Sequence, residues 1–124
     1  MYHIRDNEFI RGKVPMTKEE VRAVSIAKLD IRDTDTCLDI GAGTGSVSIE
    51  MAHFASKGIV YAIEMNDEAV ELVKENMKKF DIKNLELIHG KAPQDLKETN
   101  VDKIFIGGSG GNLDELIKYS YDHL

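Results

Sequence analysis

The chain has one cysteine, no apolar run of membrane-spanning length, no excess of basic charge and no internal repeat. Each absence excludes something. Cys37 alone cannot form an internal disulfide, and its place inside an apolar run reads as a buried thiol rather than a reactive one. His3, His53, His89 and His123 are scattered without ligand-like pairing, so no protein-bound metal is expected. Met1-Tyr2-His3-Ile4-Arg5-Asp6 lacks the apolar stretch of a secretory signal, and with no spanning segment a cytoplasmic location away from membranes is expected. The 16 Lys and Arg against 22 Asp and Glu leave a net charge of -6, which argues against nucleic acid as a partner.

What is present suits one ordinary domain: 124 residues, 42% hydrophobic and 31% charged, with apolar material for one core. Residues 1–30 read as an N-terminal segment and capping helix, residues 31–124 as a sheet core. The most informative stretch is Thr36-Cys37-Leu38-Asp39-Ile40-Gly41-Ala42-Gly43-Thr44-Gly45. A short buried strand ends in glycines at alternate positions, a loop that turns tightly and lets a ligand approach the backbone before a helix opens at Ser46. Glu64 closes the next apolar run, Ile59 to Ile63, where an acid accepts hydrogen bonds from both ribose hydroxyls in folds of this kind. The pair implies an adenosine-type cofactor.

Charge distinguishes the cofactors. A dinucleotide loop spaces its glycines G-x-G-x-x-G to seat a pyrophosphate on a helix N-terminus, whereas here the third glycine comes one residue early. Asp39 would repel a pyrophosphate, but can accept from the ammonium of S-adenosylmethionine and favour its sulfonium. S-adenosylmethionine is therefore the expected cofactor. The plainer alternative makes Asp39 and Glu64 ordinary polar residues at strand ends.

Along the chain, Thr17 and Glu20 form a capping box and Met16 can staple onto Val21, so a helix is expected from there to about Leu29. A second helix is expected at Ser46 to Ala55, and a third, capped near Asn66 or Asp67, carries the stripe Ala69, Val70, Leu72, Val73, Met77 and Phe80. Leu85 to His89 and Val101 to Ile106 are further strands, with a helical turn at Pro93 to Leu96 between them. Gly107-Gly108-Ser109-Gly110-Gly111 then leads to a helix capped by Asn112. The alternation specifies a doubly wound parallel α/β sheet in the order 3-2-1-4. The second glycine loop shares the ligand edge of that sheet, where its N–H groups suit carboxylates or a close-packed ring.

With these segments placed, the sequence resembles the decarboxylating precorrin and cobalt-precorrin methyltransferases of cobalamin biosynthesis. The resemblance rests on Asp6 to Arg22, on Leu38 to Ser46 and on Ile104 to Gly111. It implies the Rossmann-like class I S-adenosylmethionine-dependent methyltransferase fold, lacking the last strands of the full sheet. It implies methyl transfer to carbon 15 of cobalt-precorrin-6B or precorrin-6Y with loss of the carbon-12 acetate carboxyl. Carried over residue by residue, Thr17 contacts the cofactor, Gly41, Ala42, Gly43, Thr44 and Gly45 wrap its methionine end, Glu64 holds the ribose and Ala92 meets the adenine. Lys91 stands where many other methyltransferases have an aspartate. Family members continue past this length, so the chain reads as a shortened member whose open fourth strand invites a second copy, a homo-oligomer.

Arg11, Lys13, Lys91 and the loop Gly108, Ser109, Gly110 and Gly111 are the expected docking surface for the carboxylates of a tetrapyrrole substrate. No catalytic base is nominated, because no His or carboxylate pair presents itself and decarboxylation can release the electrons. A tRNA methyltransferase, a protein carboxyl methyltransferase and a cofactor-binding module without catalysis are the alternatives.

Overall fold

The computed structural model describes residues 3–124, so the first two residues of the expected N-terminal segment lie outside the described residues. After a 3-10 turn at Asp6–Glu8 come α1 (Glu19–Leu29), β1 (Thr36–Ile40), α2 (Ser46–Phe54), β2 (Ile59–Glu64), α3 (Asp67–Lys79), β3 (Leu85–His89), β4 (Lys103–Ile106) and α4 (Leu113–His123). The strands form one parallel sheet in the order β3-β2-β1-β4. β1 is central, with Leu38 opposite both Tyr61 and Ile104. Its near-continuous burial is what a parallel strand covered on both faces requires.

Alternation along the strands divides the core. Cys37, Val60 and Ala62 pack with Ile26, Val47, Met51 and Val73 of the first three helices, while Leu38, Ile40 and Ile63 pack with Leu96, Val101 and Leu116 on the other face. Burial pushes the Cys37 thiol up to about 12, with the Asp35 and Asp102 charges adding to the rise, so it packs as a small apolar side chain. α4 is anchored by Leu116, which is 0% exposed. Its truncation to alanine costs about 2–5 kcal/mol.

Three local expectations need correction. α1 begins one residue late, with Lys18 at its N-cap and no side-chain cap hydrogen bond. The Thr17 carbonyl instead accepts from the Arg22 guanidinium at 2.5 Å, and Met16 packs into the core while Val21 is 57% exposed, so the capping box and staple are absent. β4 starts at Lys103, two residues inside the expected span, because Val101 N–H turns away to the His123 carbonyl at 2.9 Å. Asn112 occupies the N-cap of α4, yet its amide donates to the Ala92 carbonyl at 2.7 Å rather than capping the helix. In α3 the expected cap holds: Asn66 Oδ1 accepts from the Ala69 N–H at 2.9 Å.

Candidate functional site

The carboxyl ends of all four strands face one edge, and the loops after β1, β2, β3 and β4 meet there. At their centre Gly41 has φ +76, and a Cβ built on it would lie 2.7 Å from the backbone N and O of Gly108. Only a residue without a side chain lets the two glycine loops touch. The contact separates two cavities. The first, of about 170 Å³, is lined by Ile40, Ile63, Glu64, Met65, Lys91 and Ala92 with Gly108, Ser109 and Gly110. The second, of about 270 Å³, lies between Pro15, Met16 and Thr17 on one side and Asp39, Gly41, Ala42, Gly43 and Thr44 on the other.

Glu64 organises the first cavity. Its Oε1 accepts from the Gly43 N–H at 2.8 Å, and its Oε2 from Met65 and Asn66 at 3.1 and 3.0 Å. A carboxylate offers about four lone-pair sites, so beside these three hydrogen bonds about one acceptor position remains. Asp39 organises the second. It is 1% exposed, Oδ2 accepts from the Ser48 hydroxyl at 2.5 Å, and Oδ1 has no hydrogen-bond partner. Burial pushes its carboxyl up to about 6, opposed by the Ser48 hydrogen bond and reinforced by the Glu64 charge. Thr44 Oγ1, in a residue also 1% exposed, is likewise unpartnered. Buried polar atoms left open in this way mark where a ligand's donor and acceptor groups fit. The pair suits the amino-acid end of S-adenosylmethionine: an anion for the ammonium and a hydroxyl for the carboxylate.

Of the residues singled out in the sequence, Thr17, Asp39, Gly41, Ala42, Gly43, Thr44, Glu64, Ala92, Gly108, Ser109 and Gly110 converge on the two cavities. Gly45, Gly111, Arg11 and Lys13 line neither. Gly45 backs onto Val73 of α3. The Lys13 N–H reaches Glu68 at 3.5 Å, and the exposed Arg11 stands on the same segment. Lys91 is the cation that does line the first cavity. The second glycine loop shares that cavity with Glu64 and Ala92.

Sequence reasoning missed a buried polar framework behind the site. Arg22, 0% exposed, pairs with Glu50, reaches Asp6 Oδ1 at 3.1 Å and donates to the Ile4 and Thr17 carbonyls at 2.5 Å. It also lies over the Phe9 ring at 4.9 Å. Asn76 holds Ile10 and Thr44 from α3. The available signal was a polar residue set on an otherwise apolar helix face at each position.

Residues 8–124 match the family described as Precorrin methyltransferase domain. The cobalt-precorrin-6B C(15)-methyltransferase (decarboxylating) of Salmonella typhimurium is 43% identical, covering 98% of this chain and 63% of that protein. Precorrin-6y C5,15-methyltransferase from Geobacter metallireducens superposes with a TM-score of 0.93 at 41% identity, over 98% of this chain and 65% of that one. The precorrin 8W decarboxylase of Methanobacterium thermoautotrophicum gives 0.91 at 36% identity, over 98% and 66%. The sheet is that of class I S-adenosylmethionine-dependent methyltransferases.

Proposed function

The chain belongs to the precorrin methyltransferase family, and from that membership we propose that it binds S-adenosylmethionine and methylates carbon 15 of a cobalt-precorrin, with decarboxylation of the carbon-12 acetate. The observation that carries the reading is Asp39: a buried carboxylate with one open oxygen, set where it favours a cationic ligand and disfavours a pyrophosphate.

When bound, S-adenosylmethionine supplies an electrophilic methyl group. The chain's part is positioning, which lowers the barrier by holding two reactants in line. Asp39 takes the ammonium and the unpartnered Thr44 hydroxyl meets the carboxylate, while Gly41, Ala42 and Gly43, whose N–H groups are held by Ile63 and Glu64, shape the loop around it and Thr17 closes the opposite wall. Glu64 has one acceptor position left for a ribose hydroxyl, and Ile40, Ile63, Met65 and Ala92 form the apolar adenine surface. Ser109 and Gly110 give substrate carboxylates N–H groups at the cavity mouth, with Gly108 and Gly111 shaping the loop around them. Lys91 adds the nearest positive charge there, with Arg11 and Lys13 as outer docking positions. No residue is assigned as a general base.

The partner is then a tetrapyrrole and not nucleic acid, in line with the net charge of -6. Among the described residues no helix is long and apolar enough to cross a membrane. Incubation with S-adenosylmethionine labelled in its methyl group and cobalt-precorrin-6B tests the proposal. Mass spectrometry is expected to show one methyl gained and one carboxyl lost, whereas label transferred to RNA or to protein carboxylates would overturn it.

A further inference from the structure

Residues 4–17 cross the molecule as an irregular strap whose one regular piece is the turn Asp6–Glu8. Its end, Pro15 to Thr17, is one wall of the second cavity. Backbone outside the sheet and helix ladders keeps its place through other anchors. At either end of the strap Arg22 and Glu50 hold Ile4, Asp6 and Thr17. In its middle the exposed Lys79 ammonium donates to the Glu8 carbonyl and the Lys13 N–H reaches Glu68 at 3.5 Å, and the buried anchor is Asn76 of α3, which is 0% exposed. Asn76 Oδ1 accepts from the Ile10 N–H at 2.8 Å, and Nδ2 donates to the Ile10 carbonyl at 2.8 Å and the Thr44 carbonyl at 2.9 Å. Both amide protons and the amide oxygen are thus engaged. The strap and the glycine loop, opposite walls of one cavity, share a single side chain.

From this juxtaposition we infer that Asn76 is a positioning residue for cofactor binding, fixing the Pro15–Thr17 wall against the Gly41–Thr44 wall without touching the ligand. The inference rests on the cofactor reading above. Asn76 lines neither cavity, so it acts through the fraction of molecules whose strap is seated, and the observed dissociation constant rises as that fraction falls. Linkage makes the effect reciprocal: a ligand that requires the seated strap must itself favour seating, and so must slow exchange of the Ile10 amide that Asn76 holds.

Calorimetry with S-adenosylhomocysteine tests this on the wild-type chain, on Asn76→Ser and on Asn84→Ala. Asn84 is a control for stability: its amide donates to the Ala52 and Ala55 carbonyls at 2.9 and 2.8 Å, away from both cavities. Asn76→Ser is expected to bind about tenfold more weakly, since it leaves buried backbone groups without partners. Asn84→Ala is expected to melt lower and keep its affinity. In the wild type, saturating ligand is expected to slow Ile10 amide exchange by about tenfold. Equal affinities of wild type and Asn76→Ser, or equal losses in both variants, overturn the inference. Unchanged Ile10 exchange overturns it too, even if Asn76→Ser does not fold. Absence of binding by the wild type overturns the cofactor reading and the inference with it, a result distinct from equal affinities.

Discussion

The Gly43 N–H donates to Glu64 Oε1 at 2.8 Å across 21 residues of sequence, so the acid at the end of β2 braces the loop at the end of β1. One carboxylate both shapes the glycine loop and faces the cavity where a ribose fits. Glu64→Ala is therefore expected to weaken S-adenosylhomocysteine binding by about ten- to a hundred-fold, since hydrogen bonds to charged groups contribute roughly 1.5–3 kcal/mol. Calorimetry measures it, and an unchanged affinity would remove Glu64 from the site.

Asp39 gives a pH signature. Its carboxyl is raised from 3.8 to about 6, chiefly by burial, so between those values the folded chain holds a proton that the unfolded chain has released. That stabilisation is complete below the unfolded value and is lost as the pH rises through the folded one. Relative to Asp39→Asn, the ligand-free wild type is expected to lose about 2–2.5 kcal/mol between about pH 4 and pH 7. Ligand binding runs the other way, because an ammonium beside Asp39 favours the charged form, and affinity should rise across the same window. Denaturant melts of both proteins at the two pH values check the first statement. A difference that does not change with pH would contradict it.

Gly41 and Gly108 touch, but they do not tolerate side chains equally. A Cβ on Gly41 would lie within 2.9 Å of three Gly108 backbone atoms at φ +76, whereas a Cβ on Gly108 meets nothing within 4 Å. Gly41→Ala should cost at least about 1–3 kcal/mol and Gly108→Ala about 0.5 kcal/mol or less. Thermal melts of the two variants separate them, and equal losses would mean that the loops do not meet as described.

Arg22 and Glu50 form a buried pair, and removing one partner leaves the other charge uncompensated. Arg22→Leu should destabilise the chain by about 3–5 kcal/mol, and adding Glu50→Leu should restore part of that loss. Denaturant titration of the single and double variants measures the restoration. A double variant as unstable as the sum of both single losses would contradict this pairing.

Elements whose signals are local could be read directly. β2 and β3 run over Ile59–Glu64 and Leu85–His89 as their apolar runs indicate, and α3 starts after Asn66 because that side chain caps a helix three residues on. The order β3-β2-β1-β4 is the one expected from strand–helix alternation with right-handed crossovers. Elements decided by distant partners could not be read in the same way. Thr17 fits a capping box by spacing, yet its carbonyl is taken by Arg22, whose own partner Glu50 lies 28 residues away. Asn76 meets Ile10 across 66 residues, and nothing near either position in the chain reports that contact. Around the cavities, the positions of Asp39, Glu64, Gly41 and Gly43 could be read from strand ends, whereas Gly45 and Gly111 line neither cavity. Arg11 and Lys13 were placed by charge, and charge does not specify which way an irregular segment turns.

The most direct measurement is a crystal structure of this chain grown with S-adenosylhomocysteine. A ribose hydroxyl is expected on Glu64, the ammonium on Asp39 Oδ1 and the adenine between Ile63, Met65 and Ala92. The ligand bound away from Asp39 and Glu64, or both cavities empty at saturating ligand, would contradict it.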